Sequence, residues 1–121
     1  MNTELSGSHN VTQMVKILKA IGEENRLQII RLLLKSNLCV GALARTLNIS
    51  EPAVSQHLKI LREAGLVRGE KLGYWTHYRV EKELIRKSSH YLQELIESQT
   101  DVVCNNVTCN NALTCIQKKE S

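Results

Sequence analysis

Apolar residues recur along the first part of the chain with the period of an α-helix. Two runs follow the spacing i, i+3, i+4, i+7, which places apolar side chains on one face of a helix. The positions are Val11, Met14, Val15, Leu18 and Ile21 in the first run, and Leu27, Ile30, Leu33 and Leu34 in the second. Gly22 is expected to end the first helix, and Ser36 and Asn37 to end the second.

Two further helices joined by a tight turn are predicted next. The first covers 40–47 and the second covers 51–64. Ser50 is a favourable N-cap for the second helix, and Pro52 lies in its first turn, where a missing N–H costs little. Gly65 suits the left-handed conformation that commonly follows the end of a helix.

The pattern then changes to segments rich in aromatic and β-branched residues. Strands are predicted over 66–71 and 74–80, with a hairpin tip at Leu72 and Gly73. A last helix is expected to begin near Glu83. The apolar side of this helix is expected to consist of Leu84, Ser88, Tyr91, Leu92 and Leu95. The order predicts a fold that is mainly α with a small β-hairpin, a winged helix-turn-helix of the form α-α-α-α-β-β-α.

A length of 121 residues fits one folded domain. We expect a flexible arm over 1–10, one folded domain over 11–100, and a Cys-rich tail over 101–121. The N-terminus lacks the apolar run of a signal peptide, and no run approaches the roughly 18 residues of a membrane span. We therefore expect a cytoplasmic protein whose four cysteines are thiols rather than structural disulfides.

The second helix of the predicted pair has a face that suits the reading of DNA. At about 100° per residue, Ser55, Lys59 and Arg62 share one side, and Gln56 flanks it. Gln pairs with adenine, Ser with several bases, and Lys or Arg with guanine or phosphate. His57 lies beside the apolar stripe of the helix, so it is either partly packed or a phosphate contact. The alternative to DNA binding is that all of these residues simply form a solvent-exposed helix face.

The predicted hairpin would add a basic wing beside this face. Lys71 and Arg79 lie on the hairpin, and the segment 45–82 carries seven Lys or Arg residues against four Glu. Such an excess of positive charge attracts phosphate groups. The formal net charge of +4 is compatible with a nucleic-acid partner but does not require one.

Four stretches resemble the ArsR/SmtB-type winged-helix repressors, and the similarity extends over about 11–98. SEPAVSQHLKILREAGLV at 50–67 is very similar to the recognition helix of that family and the start of its wing. The stretches ENRLQII, LCVGALA and GYWTHYR also match. The resemblance, closest to the arsenic- and thiophilic-metal-sensing members, implies a homodimer joined through its first and last helices that represses an operon. A two-fold dimer is expected to read an imperfect palindrome with half-sites about one helical turn apart.

Cys39 and three tail cysteines form a second set of candidate functional residues. In arsenic- and cadmium-sensing members of the family a Cys-Val-Cys pair begins the helix at this place, whereas this chain has Gly41 instead of the second cysteine. The tail supplies Cys104, Cys109 and Cys115. On one straight helix Cys104 and Cys109 would point about 140° apart, so the tail would have to fold irregularly round an ion.

Thiolates select thiophilic ions, and the resemblance makes As(III), Sb(III) or Cd(II) the leading inducers. The predicted function is a repressor that releases its operator when cysteine thiolates bind such an inducer, with no cofactor permanently bound. Whether Cys39 joins the tail cysteines, and from which protomer, stays open. Thiol redox or persulfide sensing by the same fold is the main alternative. A metal-buffering module without DNA binding is a further one. No phosphate loop, nucleophile elbow or pair of carboxylates on one predicted face points to an enzyme.

Overall fold

The computed structural model describes residues 8–98, with side-chain burial from residue 11 onward. Its elements are α1 (Ser8–Ile21), α2 (Glu24–Lys35), β1 (Leu38–Cys39), α3 (Val40–Leu47), α4 (Glu51–Glu63), β2 (Val67–Leu72), β3 (Trp75–Val80) and α5 (Lys82–Glu97). The predicted fold class, a winged helix-turn-helix, is confirmed. The predicted tail 101–121 and residues 1–7 of the predicted arm lie outside the described residues, and α1 already begins at Ser8.

The chain divides into two units between His90 and Tyr91. The first unit contains α1 to β3 and the start of α5. The described part of the second unit is 91–98, the end of α5 with Ser98. Within residues 8–98, none of the helices combines the length and apolar character needed to span a bilayer.

The turn between α3 and α4 is defined by backbone and capping interactions. Asn48 ends α3 in the left-handed region with φ of 59°. Ser50 begins α4, and its hydroxyl oxygen accepts a hydrogen bond of 3.1 Å from the amide of Ala53. Gly65 follows α4 with φ of 83°, where a side chain would be strained. The predicted roles of Ser50 and Gly65 are therefore confirmed, and the two helices meet through a tight turn.

The buried residues of the described part form a hydrophobic core between the first four helices and the sheet. It is built from Ile17, Ala20, Ile29, Ile30, Leu33, Leu43, Ala44, Val54, Leu58, Leu61, Leu66, Val67 and Val80. The first helix differs from its prediction, since its apolar residues divide between two faces. Met14, Ile17 and Ala20 are buried, whereas Val11, Val15 and Leu18 are exposed. The second helix behaves similarly and leaves Leu27 and Leu34 exposed.

The sheet has three antiparallel strands in the order β1-β3-β2, one strand more than predicted. In β1, Leu38 pairs with Tyr78, and Cys39 pairs with His77. In β2, Val67 pairs with Val80 at the base of the hairpin. Because side chains alternate between the faces of a strand, the face carrying Val80, Tyr78 and Leu38 packs on the core. The face carrying Cys39 and His77 is the opposite one.

Candidate nucleic-acid interface

The outer face of α4 is polar, and its inner face is apolar and buried in the core. Val54, Leu58 and Leu61 are at most 1% exposed and fix the inner side of the helix on the core. Four of the predicted DNA contacts, Ser55, Gln56, Lys59 and Arg62, are all exposed on the other side. Because α4 is anchored by its cap and its buried stripe, these side chains are presented from a rigid element. The structure thus brings four of the candidate residues together.

His57 lies at a junction of three helices rather than on the open face. Its side chain is 18% exposed. Its Nδ1 lies 3.3 Å from the Arg26 guanidinium and 3.8 Å from a carboxylate oxygen of Glu23. Because a guanidinium only donates hydrogen bonds, the contact with Arg26 uses Nδ1 as the acceptor. The geometry therefore favours the packed alternative for His57.

Arg26 also connects to the end of the preceding helix. Its Nε donates a hydrogen bond of 2.6 Å to the carbonyl of Ala20, and a second guanidinium nitrogen lies 3.4 Å from that of Lys19. Glu23 caps α2 by accepting a hydrogen bond from the amide of Arg26 at 3.0 Å. Neither Glu23 nor Arg26 was singled out from the sequence as a partner of His57, since nothing local to α2 indicates this contact.

The two predicted wing residues lie on opposite faces of the hairpin. Lys71 pairs across the strands with Thr76, and Arg79 pairs with Arg68. Thr76 and Arg79 are three residues apart on β3, so the side chains of Lys71 and Arg79 project from opposite faces. Arg79 is also engaged in an ion pair with Glu70, at 3.6 Å. Lys71 is exposed near the tip, and the structure does not bring it together with Arg79.

The tip of the wing presents two aromatic side chains that the sequence reasoning did not place in the site. Tyr74 is 94% exposed and Trp75 is 64% exposed. Gly73 makes the turn with φ of 68°. A signal was available in the sequence, because both aromatics directly follow the predicted tip at Leu72 and Gly73. Exposed aromatics at the tip of the wing offer apolar and stacking surface to a partner.

Cys39 is the one predicted thiol within the described residues, and it is a free, half-buried thiol at the N-cap of α3. Cys104, Cys109 and Cys115 lie outside them. At Gly41, an added Cβ would lie 3.4 Å from a carboxylate oxygen of Glu51, an ordinary contact distance. Within the described part of the chain, no group of three or more His, Cys, Asp or Glu residues could hold a metal ion.

Comparison with known proteins decides the family. The family model described as bacterial regulatory protein, arsR family, matches residues 23–68. The transcriptional activator HlyU of Vibrio cholerae is 37% identical over 86 residues, which cover 71% of this chain and 80% of HlyU. The chain belongs to the arsR family of bacterial regulatory proteins. It is accordingly a DNA-binding transcriptional regulator of the arsR family, which agrees with the expectation that it is not an enzyme.

A further relative and two solved structures are also similar to this chain. The arsenical resistance operon repressor of Escherichia coli (strain K12) is 42% identical over 67 residues, 54% of this chain, and the match spans only 57% of that repressor. The structure of reduced HlyU from Vibrio cholerae superposes with a TM-score of 0.61 at 36% identity, covering 73% of this chain and 93% of HlyU. The homodimeric winged helix-turn-helix DNA-binding domain of Mb0332 from Mycobacterium bovis gives 0.63 at 25% identity, covering 74% and 83%.

Proposed function

We propose that this regulator is a homodimeric repressor that binds an operator through α4 and the wing, and that leaves it when a thiophilic inducer binds its thiolates. The observation that carries the DNA-binding part is the exposed face of Ser55, Gln56, Lys59 and Arg62 above a fully buried stripe. Gln56 and Ser55 offer hydrogen bonds to base edges, and Lys59 and Arg62 offer charge to guanine or phosphate.

The remaining predicted contacts take supporting roles in this proposal. Lys71 contacts phosphate from the exposed tip of the wing. Arg79 contacts phosphate at the wing only by releasing its ion pair with Glu70. His57 acts by holding α4 against Arg26, so its effect on DNA affinity passes through the position of the helix.

A homodimer is supported by apolar surface on the first and last helices. Val11, Val15 and Leu18 form one exposed row on α1, because their positions are spaced by four and three residues. On α5, Leu92, Leu95 and Ile96 are exposed with the same kind of spacing. The related Mb0332 domain is described as homodimeric. A two-fold dimer would present α4 twice to an imperfect palindrome.

The inducer is proposed to be As(III), Sb(III) or Cd(II), bound by Cys39, Cys104, Cys109 and Cys115. The support is the set of four thiols and the similarity to a repressor of an arsenical resistance operon. The redox alternative has its own support, since the related HlyU was solved in a state described as reduced. Cys39, a free thiol, is compatible with either chemistry.

The DNA-binding proposal is tested with a site selected from a random duplex library by the wild-type protein. Gln56→Ala should weaken binding by about 1–3 kcal/mol and relax the preference at one base position. Lys59→Ala should weaken binding to all sequences. It should also lower the slope of log affinity against log salt concentration by about one. Lys87→Ala on α5, which removes another exposed lysine, is the matched control. Unchanged binding by both α4 variants would count against the proposal.

The inducer proposal is tested by displacement of that duplex from the reduced protein. Arsenite, antimonite and Cd²⁺ are added in turn, and a thiol oxidant is added in a separate series. We expect release by at least one of the three ions and its loss in the Cys104→Ser/Cys109→Ser/Cys115→Ser variant. Release by the oxidant alone would favour redox sensing, and metal binding without any DNA affinity would favour a metal-buffering module.

A further inference from the structure

One rung of the sheet places a cysteine and a histidine side by side. Cys39 on β1 pairs directly with His77 on β3, and His77 pairs in turn with Glu70 on β2. Directly opposed residues of antiparallel strands project to the same face, with Cβ atoms about 4.5–5.5 Å apart. A single ion at about 2.3 Å from sulfur and 2.0–2.1 Å from nitrogen fits between two such side chains.

Both members of this pair have unused bonding capacity. The Nδ1 atom of His77 is buried and has no hydrogen-bond partner among the described residues. A buried ring nitrogen without a partner is rare and requires an explanation. Cys39 is a free thiol, and as the N-cap of α3 it makes no side-chain hydrogen bond to the helix. Within the described residues, Nδ1 of His77 is therefore without a hydrogen-bond partner, and the thiol of Cys39 does not cap α3.

We propose that Cys39 and His77 together bind a divalent thiophilic cation, Cd²⁺ or Zn²⁺, as a cross-strand pair of ligands. The inference rests on the proposed function, for which it names a nitrogen ligand. A thiolate with an imidazole suits Zn²⁺ and Cd²⁺. Binding releases the thiol proton of Cys39 to solvent, while the neutral imidazole donates a lone pair.

The pair supplies two ligands, and the neighbouring carboxylate does not add a third. Glu70 shares the rung but is held in an ion pair with Arg79 at 3.6 Å. Water or an added thiol fills the remaining positions of the ion. Because β1 directly precedes α3 and β3 belongs to the wing, an ion at this pair would fix the start of the helix-turn-helix to the wing.

The test uses the full chain with Cys104→Ser, Cys109→Ser and Cys115→Ser, so that Cys39 is its only thiol. Cd²⁺ is titrated into the reduced protein while thiolate-to-metal absorption is followed. We expect the absorption to disappear in Cys39→Ser. His77→Gln should lower the Cd²⁺ affinity by at least about tenfold. The matched control is His90→Gln, which changes an exposed histidine on α5 and should leave the affinity within about twofold.

A second readout distinguishes a ligand from a structural residue. The imidazole nitrogen resonances of His77 are recorded by NMR in the same variant, in which the three tail cysteines are replaced by serine. Spectra are taken with and without Cd²⁺. Coordination should shift one ring nitrogen of His77 strongly and leave those of His90 in place. Unshifted His77 nitrogens, or a His77→Gln variant that keeps its fold and full Cd²⁺ affinity, would overturn the inference.

Failure of the inference and failure of the proposed function give different results. The selected DNA duplex is bound or not bound by the metal-free wild-type protein, independently of any cation. If that duplex is bound and released by Cd²⁺ equally in the wild type and in His77→Gln, the repressor stands and the His77 ligand is wrong. If no duplex is bound, the proposed function is wrong whatever the Cd²⁺ titration shows.

Discussion

Arg26 joins three helices through polar contacts of one side chain. It donates to the carbonyls at the end of α1, at 2.6 Å for Ala20 and 3.4 Å for Lys19. The same guanidinium contacts Nδ1 of His57 on α4 at 3.3 Å. Carbonyls at the end of a helix have no partner within the helix, so Arg26 supplies one. We infer that Arg26 fixes the angle at which α4 leaves the core.

Arg26→Ala should therefore lower the free energy of unfolding by about 1–3 kcal/mol, because part-buried acceptors lose their donor. Chemical denaturation measures the change. Arg31→Ala is a suitable control, since Arg31 is exposed and its side chain bonds Gln28 on the same helix at 3.1 Å. Its effect should stay within about 0.5 kcal/mol. Equal effects of the two substitutions would show that the junction contributes nothing.

Local sequence patterns account for many of the predictions that are correct at the scale of single residues. The cap at Ser50 and the buried stripe of Val54, Leu58 and Leu61 depend on neighbours within one helix, so spacing alone predicts them. The partner of His57 is 31 residues away in the chain, and no periodicity carries that information. Spacing along the chain therefore predicted two alternatives for His57 and gave no reason to prefer either.

Gly69 permits the close packing of the two wing strands. It lies opposite Tyr78, and an added Cβ would come within 2.9 Å of Cγ2 of Thr76 and 3.1 Å of Cε2 of Tyr78. Real Cβ atoms essentially never show a contact as short as the one with Thr76, and the one with Tyr78 is tighter than most. Because Tyr78 also packs against the core, its ring has little freedom to move away.

Gly69→Ala should destabilise the protein by about 1–3 kcal/mol through overpacking. Thermal or chemical unfolding measures this loss. Adding Thr76→Ser to the same chain removes the methyl group at 2.9 Å and should restore part of the stability. Thr76→Ser alone serves as the control. A Gly69→Ala protein as stable as the wild type would show that the strands separate without cost.

The exposed tip of the wing provides an intrinsic reporter of DNA binding. Trp75 is the single tryptophan of the chain and is 64% exposed. If the wing contacts the duplex, tryptophan fluorescence should change in intensity or wavelength as the selected duplex is added. Trp75→Phe should remove the signal and weaken binding only modestly, by about 1 kcal/mol. A spectrum that stays constant while a gel-shift assay shows binding would place the tip away from the DNA.

The wing was predicted as an element, but its arrangement was not. Strand-like residues on both sides of Gly73 predicted the hairpin, because alternation and turn chemistry are local. The two-residue strand Leu38–Cys39 is too short to show any period, and it forms only through pairing with β3. The directions of Lys71 and Arg79 depend on strand register. Their opposite faces therefore became visible only in the structure.

At the scale of the whole molecule, the described residues 11–98 leave one face of the first helix exposed in the single chain. Met14, Ile17 and Ala20 are buried on the core side, while Val11, Val15 and Leu18 are 48%, 42% and 39% exposed. Burying such a row against a second copy would remove apolar area from water at roughly 25 cal/mol per Å². The exposed row is the reason for proposing that α1 lies in a dimer interface.

Charged residues in this row should separate the protomers. Val15→Glu/Leu18→Glu places two carboxylates at positions that a dimer would desolvate, so sedimentation equilibrium should give the mass of one chain. Affinity for the palindromic duplex should fall by about 10²-fold or more, because two half-sites are no longer bound by one linked molecule. Leu34→Glu is the matched control, since Leu34 is also 44% exposed but lies on α2. If the α1 variant stays dimeric, or if the wild type is itself monomeric at working concentration, α1 does not hold the two copies together.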